Sequence, residues 1–237
     1  MKTLYLSLLI GSIFFISCRK EEAEMARFVA ESCQPQTANP GGRSYSTDSV
    51  VAISYAKKNC GLIPLSSKNY WIYLDSVFQD GLFLRTQYDT LRYSTTWKSL
   101  ADNLIWWEGT VSVGLPDKLY VNDSAFFEID DRMFTPGVMD AKKDYALFAG
   151  DSIKYLANFE DNAAVGRSVK LKDPVSTPAG LFTDCILFEK YARNYMRDQV
   201  FFKPGIGVTR YTREKAPMGT PTIKLQQVST LISFHFE

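Results

Sequence analysis

Short runs of aromatic and β-branched residues, each closed by a turn signal within a dozen or so positions, constrain this chain more than any other feature. Tyr70-Trp-Ile-Tyr-Leu-Asp-Ser-Val-Phe78 reads as one strand, Asp80-Gly81 is a strong two-residue hairpin signal, and residues 82–93 read as the returning strand. A second hairpin spans residues 118–129 and turns at Asn122-Asp123. Residues 50–55, 104–113, 145–148, 153–159 and 165–171 are further extended runs. Pro178-Ala-Gly180 marks a tight turn before a strand, and Pro204-Gly205-Ile-Gly207 marks another between two strands. The final run, residues 223–236, alternates Leu231, Ser233 and His235 against Ile232, Phe234 and Phe236.

Other stretches carry weaker patterns. Met25, Phe28 and Val29 predict a short helix over residues 21–32, and Thr95 or Thr96 is a candidate cap for a helix over 95–103. Residues 34–48, with Pro35, Pro40, Gly41 and Gly42, read as a linker, and residues 130–141, with Pro136-Gly137, as a polar loop. No long amphipathic helix and no internal repeat competes with the strands. About ten short strands on tight turns predict a mainly β fold, a curved antiparallel meander of half-barrel or sandwich-like form with few short helices.

The length, 237 residues, suffices for one sizeable core or two small ones. A formal charge of +1 gives no global field toward nucleic acid, and Lys57-Lys58, Arg193 and Arg197 are too scattered for a basic face, so no nucleic-acid partner is expected.

The N-terminus speaks to location. Lys2 precedes an apolar run over residues 4–16, too short to cross a bilayer as a helix, so residues 1–17 read as a signal peptide. Phe15-Ile-Ser-Cys18 resembles the lipobox of bacterial lipoproteins. That resemblance implies acylation of Cys18 and a durable membrane anchor, since each buried CH₂ contributes about 0.8 kcal/mol. Arg19, Lys20, Glu21 and Glu22 resemble the export signal that sends some Gram-negative lipoproteins to the outer face of the outer membrane, which implies surface exposure rather than a periplasmic position. The expected organisation is a signal peptide (1–17), a lipidated tether and linker (18–48) and a single β-rich domain (49–237).

Three further cysteines follow. An oxidising envelope permits a disulfide, and Cys33 and Cys60, flanking a polar loop, are the candidate pair. Cys185 lies in an apolar strand pattern and reads as a small core residue. No Cys-x-x-Cys spacing occurs, and neither a metal nor a cofactor is expected.

Thr177-Pro-Ala-Gly-Leu-Phe-Thr-Asp-Cys-Ile186 and Phe202-Lys-Pro-Gly-Ile-Gly-Val208, together with the aromatic opening Tyr70-Trp-Ile-Tyr73, are similar to a group of uncharacterised bacterial envelope lipoproteins. The resemblance covers residues 70–211, with its specific motifs in the last part. It implies a curved antiparallel sheet, related to the half-barrel of lipoprotein carriers, and no assigned reaction. The residues themselves read as folding devices: Gly205 and Gly207 bracket backbone that takes positive φ or approaches a neighbour closely.

Candidate chemistry is sparse. His235, the single histidine, sits on the terminal strand, and no Gly-x-Ser-x-Gly motif accompanies it, which disfavours a nucleophilic triad. Glu128, Asp130 and Asp131 are the clustered carboxylates that a glycoside hydrolase would need in pairs. Trp106 and Trp107 point to opposite faces of extended chain, so one is expected in the core and the other is a candidate aromatic binding surface. Asp48-Ser-Val, Asp75-Ser-Val, Asp89-Thr-Leu, Asp123-Ser-Ala and Asp151-Ser-Ile exceed the roughly one such triplet that composition predicts. They resemble a bacterial O-glycosylation acceptor, which makes Ser49, Ser76, Thr90, Ser124 and Ser152 candidate glycan sites; the other reading is turn chemistry. The expectation is a membrane-anchored, non-catalytic domain that binds a glycan, lipid or protein partner or serves envelope structure. The alternatives are a carrier with a hydrophobic ligand in a half-barrel, and a carbohydrate-active enzyme with two facing carboxylates.

Overall fold

A computed structural model of the chain describes residues 34–55, 58–132, 135–147, 152–159 and 162–237. It opens with β1 (Gln34–Pro35), β2 (Ser44–Ser46), a one-turn helix at Thr47–Ser49, β3 (Val50–Ile53) and β4 (Asn59–Cys60). A long hairpin of β5 (Tyr70–Gln79) and β6 (Leu82–Arg92) follows. Its turn takes Asp80 at φ 52° and Gly81 at φ 85°, the left-handed pair that a two-residue hairpin loop requires. An up-and-down run then comprises β7 (Thr95–Ser99), β8 (Ile105–Glu108), β9 (Lys118–Val121), β10 (Ala125–Asp131) and β11 (Val138–Ala146). Two hairpins come next, β12 (Ser152–Phe159) with β13 (Asn162–Lys170) and the small β14 (Val175–Thr177) with β15 (Gly180–Phe182). A second meander closes the chain: β16 (Ile186–Ala192), β17 (Met196–Lys203), β18 (Gly207–Lys215) and β19 (Lys224–His235).

Among the described residues two large antiparallel sheets result, beside the parallel β1–β4 pair and the β14–β15 hairpin. One has seven strands in the order β2-β11-β10-β9-β8-β7-β3, and the other eight in the order β12-β13-β16-β17-β18-β19-β5-β6. The last strand returns to pair with β5, Leu231 opposite Tyr73 and His235 opposite Tyr70. Alternation then turns one face of each sheet inward. Trp71, Tyr73, Phe188, Val200, Phe202 and Leu231 of the larger sheet share a core with Trp107, Leu119, Phe126 and Tyr145 of the smaller. The mainly β, antiparallel, sandwich-like expectation therefore holds. The β8–β9 loop also enters this interface. Gly114 (φ 83°) lies so close to Tyr211 that a Cβ would stand 2.5 Å from the ring, and its carbonyl accepts the Tyr145 hydroxyl at 2.7 Å.

Four local expectations are corrected. Residues 95–103 hold strand β7 and not a helix; β-branched Thr95 and Thr96 and aromatic Trp97 suit a pleated surface, and both sides of β7 find partners in β3 and β8. Residues 34–48 belong to the folded unit: Tyr45 is buried, β2 pairs with β11, and the Tyr45 hydroxyl donates to Asp102 Oδ2 at 2.8 Å. Much of the expected polar loop over 130–141 is strand instead, because β10 runs to Asp131 and β11 starts at Val138, with Asp131 opposite Met139. In β19 a bulge between Leu231 and Ser233 resets the alternation, so Leu231 and Phe234 both pack on the main core although the sequence places them on opposite faces.

Candidate functional site

The two motifs of the C-terminal third meet the aromatic opening strand. Gly205 (φ 80°) and Gly207 (φ 124°) turn the β17–β18 connection, and a Cβ on Gly207 would lie 3.1 Å from the Trp71 indole nitrogen. Trp71 Nε1 donates to the Ile206 carbonyl at 2.7 Å, and the Tyr73 hydroxyl donates to the Val208 carbonyl at 2.8 Å. Both reach across β19, which lies between their strand and β18. Pro178-Ala179 turns the small hairpin, with Thr177 opposite Gly180. These contacts fasten the fold.

Toward the other end of the larger sheet the inner face changes from aromatic to charged. Register alone builds a row: Lys190 is opposite Asp198, Asp198 opposite Arg213, and Arg213 opposite Gln227. Arg213 grips Asp198 with two bonds, Nε to Oδ1 at 3.0 Å and a terminal nitrogen to Oδ2 at 2.9 Å. Lys190 Nζ reaches across to Asp144 Oδ1 of β11 at 2.6 Å and lies 4.9 Å from the Tyr145 ring and 5.1 Å from the Phe159 ring. Tyr155 closes the row by lying over Gly166, where a Cβ would come within 2.3 Å of its ring.

Burial sets the protonation of this row. It pushes the Asp144 carboxyl up, with Lys190 pulling it back, and it works against the Lys190 ammonium, which Asp144, Asp198 and Glu128 nevertheless hold above its ordinary value. Glu128, on β10 beside this pair, is pushed up to about 7 by burial and then by the charge of Asp144. On the neighbouring strands Asp75 is pushed up to about 6 by burial and by Asp89, against hydrogen bonds from Ser229 and Gln227. Gln227 Nε2 donates to Asp75 Oδ2 at 2.9 Å, and Gln87 Nε2 to Asp89 Oδ2 at 2.9 Å. Asp144–Lys190 and Asp198–Arg213 are thus matched pairs inside the sandwich, whereas Asp75, almost wholly buried like Asp198, lies beside a second carboxyl, Asp89. The Lys190–Asp144 pair links the larger sheet to the smaller.

The sequence-predicted residues are dispersed. Cys18, Arg19, Lys20, Glu21, Glu22 and Cys33 lie outside the described residues, as does the expected 21–32 helix. Cys60 pairs with Pro35 in a parallel bridge between β4 and β1, and with Cys33 outside the described residues the Cys33–Cys60 pairing lies outside them too. Cys185 is buried as expected, its thiol directed at the Phe182 carbonyl at 3.4 Å. Trp106 and Trp107 do face opposite ways, but both are fully buried, which corrects the aromatic-surface expectation. The reason is a second layer: Tyr45, Val50 and Met139 cover Trp106 on the outer side of the smaller sheet, while Trp107 enters the main core. Glu128 faces the interior and Asp130 and Asp131 are exposed, so no two of these carboxylates face each other across a cleft. His235 is exposed, its ring stacked on Tyr70 at 5.3 Å. Among the candidate glycan sites Thr90, Ser124 and Ser152 are exposed, and Ser49 and Ser76 are half-buried. At Ser124 the turn reading also holds, since Asn122 Oδ1 accepts from the backbone of Ser124 and Ala125.

Comparison with known proteins adds little. No family model matches the chain, and no curated protein matches it. One solved structure, described as a "putative lipoprotein" from Parabacteroides distasonis, is similar to it at 12% identity and a TM-score of 0.36, over 75% of this chain and 100% of that one. A likeness of that size supports no argument about function.

Proposed function

We propose that the chain is a bacterial lipoprotein, anchored to the outer membrane through Cys18 and carrying a non-catalytic β-rich domain at the cell surface, where it binds a partner or serves envelope structure. One observation carries this reading: the apolar run over residues 4–16 ends in Phe15-Ile-Ser-Cys18 and a charged stretch, ahead of a sandwich of folded strands. No helix among the described residues is long and apolar enough to cross a membrane. The interior favours a binding or structural domain over a carrier, because aromatic side chains pack between the sheets where a carrier would hold its ligand. Four inward carboxyls, Asp144, Asp198, Asp75 and Asp89, are engaged with Lys190, Arg213, Gln227 and Gln87 respectively.

Cys18→Ala is expected to move the protein from the membrane fraction to the soluble fraction and to abolish incorporation of labelled palmitate. Continued fractionation with membranes contradicts the anchor. Protease shaving of intact cells tests the side: degradation supports the surface, protection the periplasmic face. The exposed hydroxyls of Thr90, Ser124 and Ser152 are the favoured O-glycan acceptors, with Ser49 and Ser76 less accessible. Intact mass of the native protein is expected to exceed peptide plus lipid, and a mass equal to peptide plus lipid removes this part of the reading.

A further inference from the structure

The β5–β6 hairpin ends the larger sheet, and its outer strand β6 treats its two halves differently. At one end the edge is closed. Thr110 of the β8–β9 loop donates its backbone N–H to the Arg92 carbonyl at 3.0 Å, its hydroxyl donates to the Thr90 carbonyl at 2.8 Å, and Arg92 N–H donates to that hydroxyl at 3.0 Å. These bonds establish that Thr90 and Arg92 aim their backbone groups off the sheet, and alternation aims those of Thr86 and Tyr88 the same way. Among the described residues no backbone bond outside the ladder engages Thr86 or Tyr88.

Beside this open stretch the side chains are apolar and exposed: Leu82 73%, Phe83 60%, Leu84 51% and Tyr88 71%. Phe78 packs edge-on against Phe83, and Leu84 is the extra residue of a bulge. Natural edges are ordinarily blunted by charge, proline, a bulge or a covering loop; the Thr110 end is covered, and between Leu82 and Tyr88 the bulge at Leu84 and the charge of Arg85 are the devices present. Along 82–88 the chain has one charge, Arg85.

That arginine says what fits. Symmetric pairing of two copies over the whole open stretch, 82–88, places Arg85 directly opposite Arg85 of the other copy, and like charges opposite one another destabilise a sheet. The backbone of Arg85 faces β5, so a partner residue opposite it makes a non-hydrogen-bonded pair, the class in which side chains come closest. We infer that the 82–88 edge of β6 is a strand-addition site for an extended segment of another protein, with apolar side chains over Leu84 and Tyr88 and an acidic side chain against Arg85. Backbone bonds would give the segment its affinity, and the apolar cluster and Arg85 its register.

The test uses the full chain carrying Cys18→Ser and a fluorescent peptide, Thr-Val-Thr-Val-Glu-Val-Thr-Val-Thr, with anisotropy as the readout. Saturable binding is expected, with the Lys-centred version of the peptide about fivefold weaker. Thr86→Pro deletes an outward N–H without touching the β5–β6 ladder and is expected to abolish binding at an unchanged melting temperature. Tyr88→Lys, a side-chain change that spares the backbone altogether, is expected to weaken binding about tenfold by removing an aromatic contact. Equal binding of the Glu- and Lys-centred peptides, or wild-type binding by both variants, overturns the proposal. So does co-sedimentation with phosphatidylcholine–phosphatidylglycerol vesicles that Thr86→Pro leaves intact, which assigns the cluster to a lipid surface. A dimer in solution that Thr86→Pro dissociates overturns it in favour of a second copy.

Discussion

Trp71→Ala is expected to cost about 3–5 kcal/mol of stability, the range for removing a buried large aromatic side chain. Domains of this kind are held by roughly 5–15 kcal/mol, so the variant should fall to the edge of unfolding at 37 °C. The size of the effect follows from position. The indole packs edge-on against Tyr93 at 5.9 Å and Phe236 at 5.6 Å, and its N–H satisfies the Ile206 carbonyl. It therefore ties the first long strand to the turn between β17 and β18 and to the C-terminal residues at once. Trp71→Phe separates the parts: the ring contacts largely persist while the Ile206 carbonyl loses its donor, at about 1–3 kcal/mol. Urea unfolding followed by far-UV circular dichroism reads both. A Trp71→Ala midpoint within error of wild type would show that the turn does not depend on the indole.

That the Trp71 contact involves Gly207 was half legible in the sequence. The glycines of Pro204-Gly-Ile-Gly207 announced positive φ or close approach, and each now has its cause: Gly205 turns the chain, and Gly207 lies against Trp71. Hairpins with local chemistry were legible for the same reason, since Asp80-Gly81 and Asn122-Asp123 carry their turn geometry in adjacent residues. What depends on distant pairing was not. Nothing local says that Lys190, Asp198 and Arg213 share one row, because that follows from the registers of β16, β17 and β18 and each residue is an ordinary charge in its own strand. The burial of Trp106 likewise needs Tyr45, which lies in a stretch whose Pro and Gly content reads as linker. The bulge in β19 defeated a clean alternation because one extra residue exchanges the two faces.

Lys190→Met is expected to be the most damaging change in the charged row, at about 3–5 kcal/mol near pH 8, because it leaves the buried Asp144 carboxylate without its cation. The loss should depend on pH in a definite direction. Asp144 and Glu128 both have folded-state values above their ordinary ones, so the folded protein binds protons there that the unfolded chain has released. Stability from such groups is greatest below the unfolded value and is lost as pH rises through the folded one. For wild type, Glu128 places that window between about 4.5 and about 7, with Asp144, Lys190, Asp130 and Lys142 as the charges that bear on it. The whole shift corresponds to about 3 kcal/mol at most, and Glu128→Gln should flatten this part of the profile. In Lys190→Met the Asp144 carboxyl loses the charge that pulls it down, so the variant should recover stability on acidification from pH 8 to pH 5. Replacing both members, Lys190→Met with Asp144→Leu, should restore most of the loss at pH 8, since neither charge is then buried alone. Urea unfolding at the two pH values, with the buried tryptophans as reporters, decides it. A Lys190→Met deficit that is the same at pH 5 and pH 8, and that Asp144→Leu does not relieve, would mean that the lysine contributes through packing over Tyr145 and Phe159 and not through its charge.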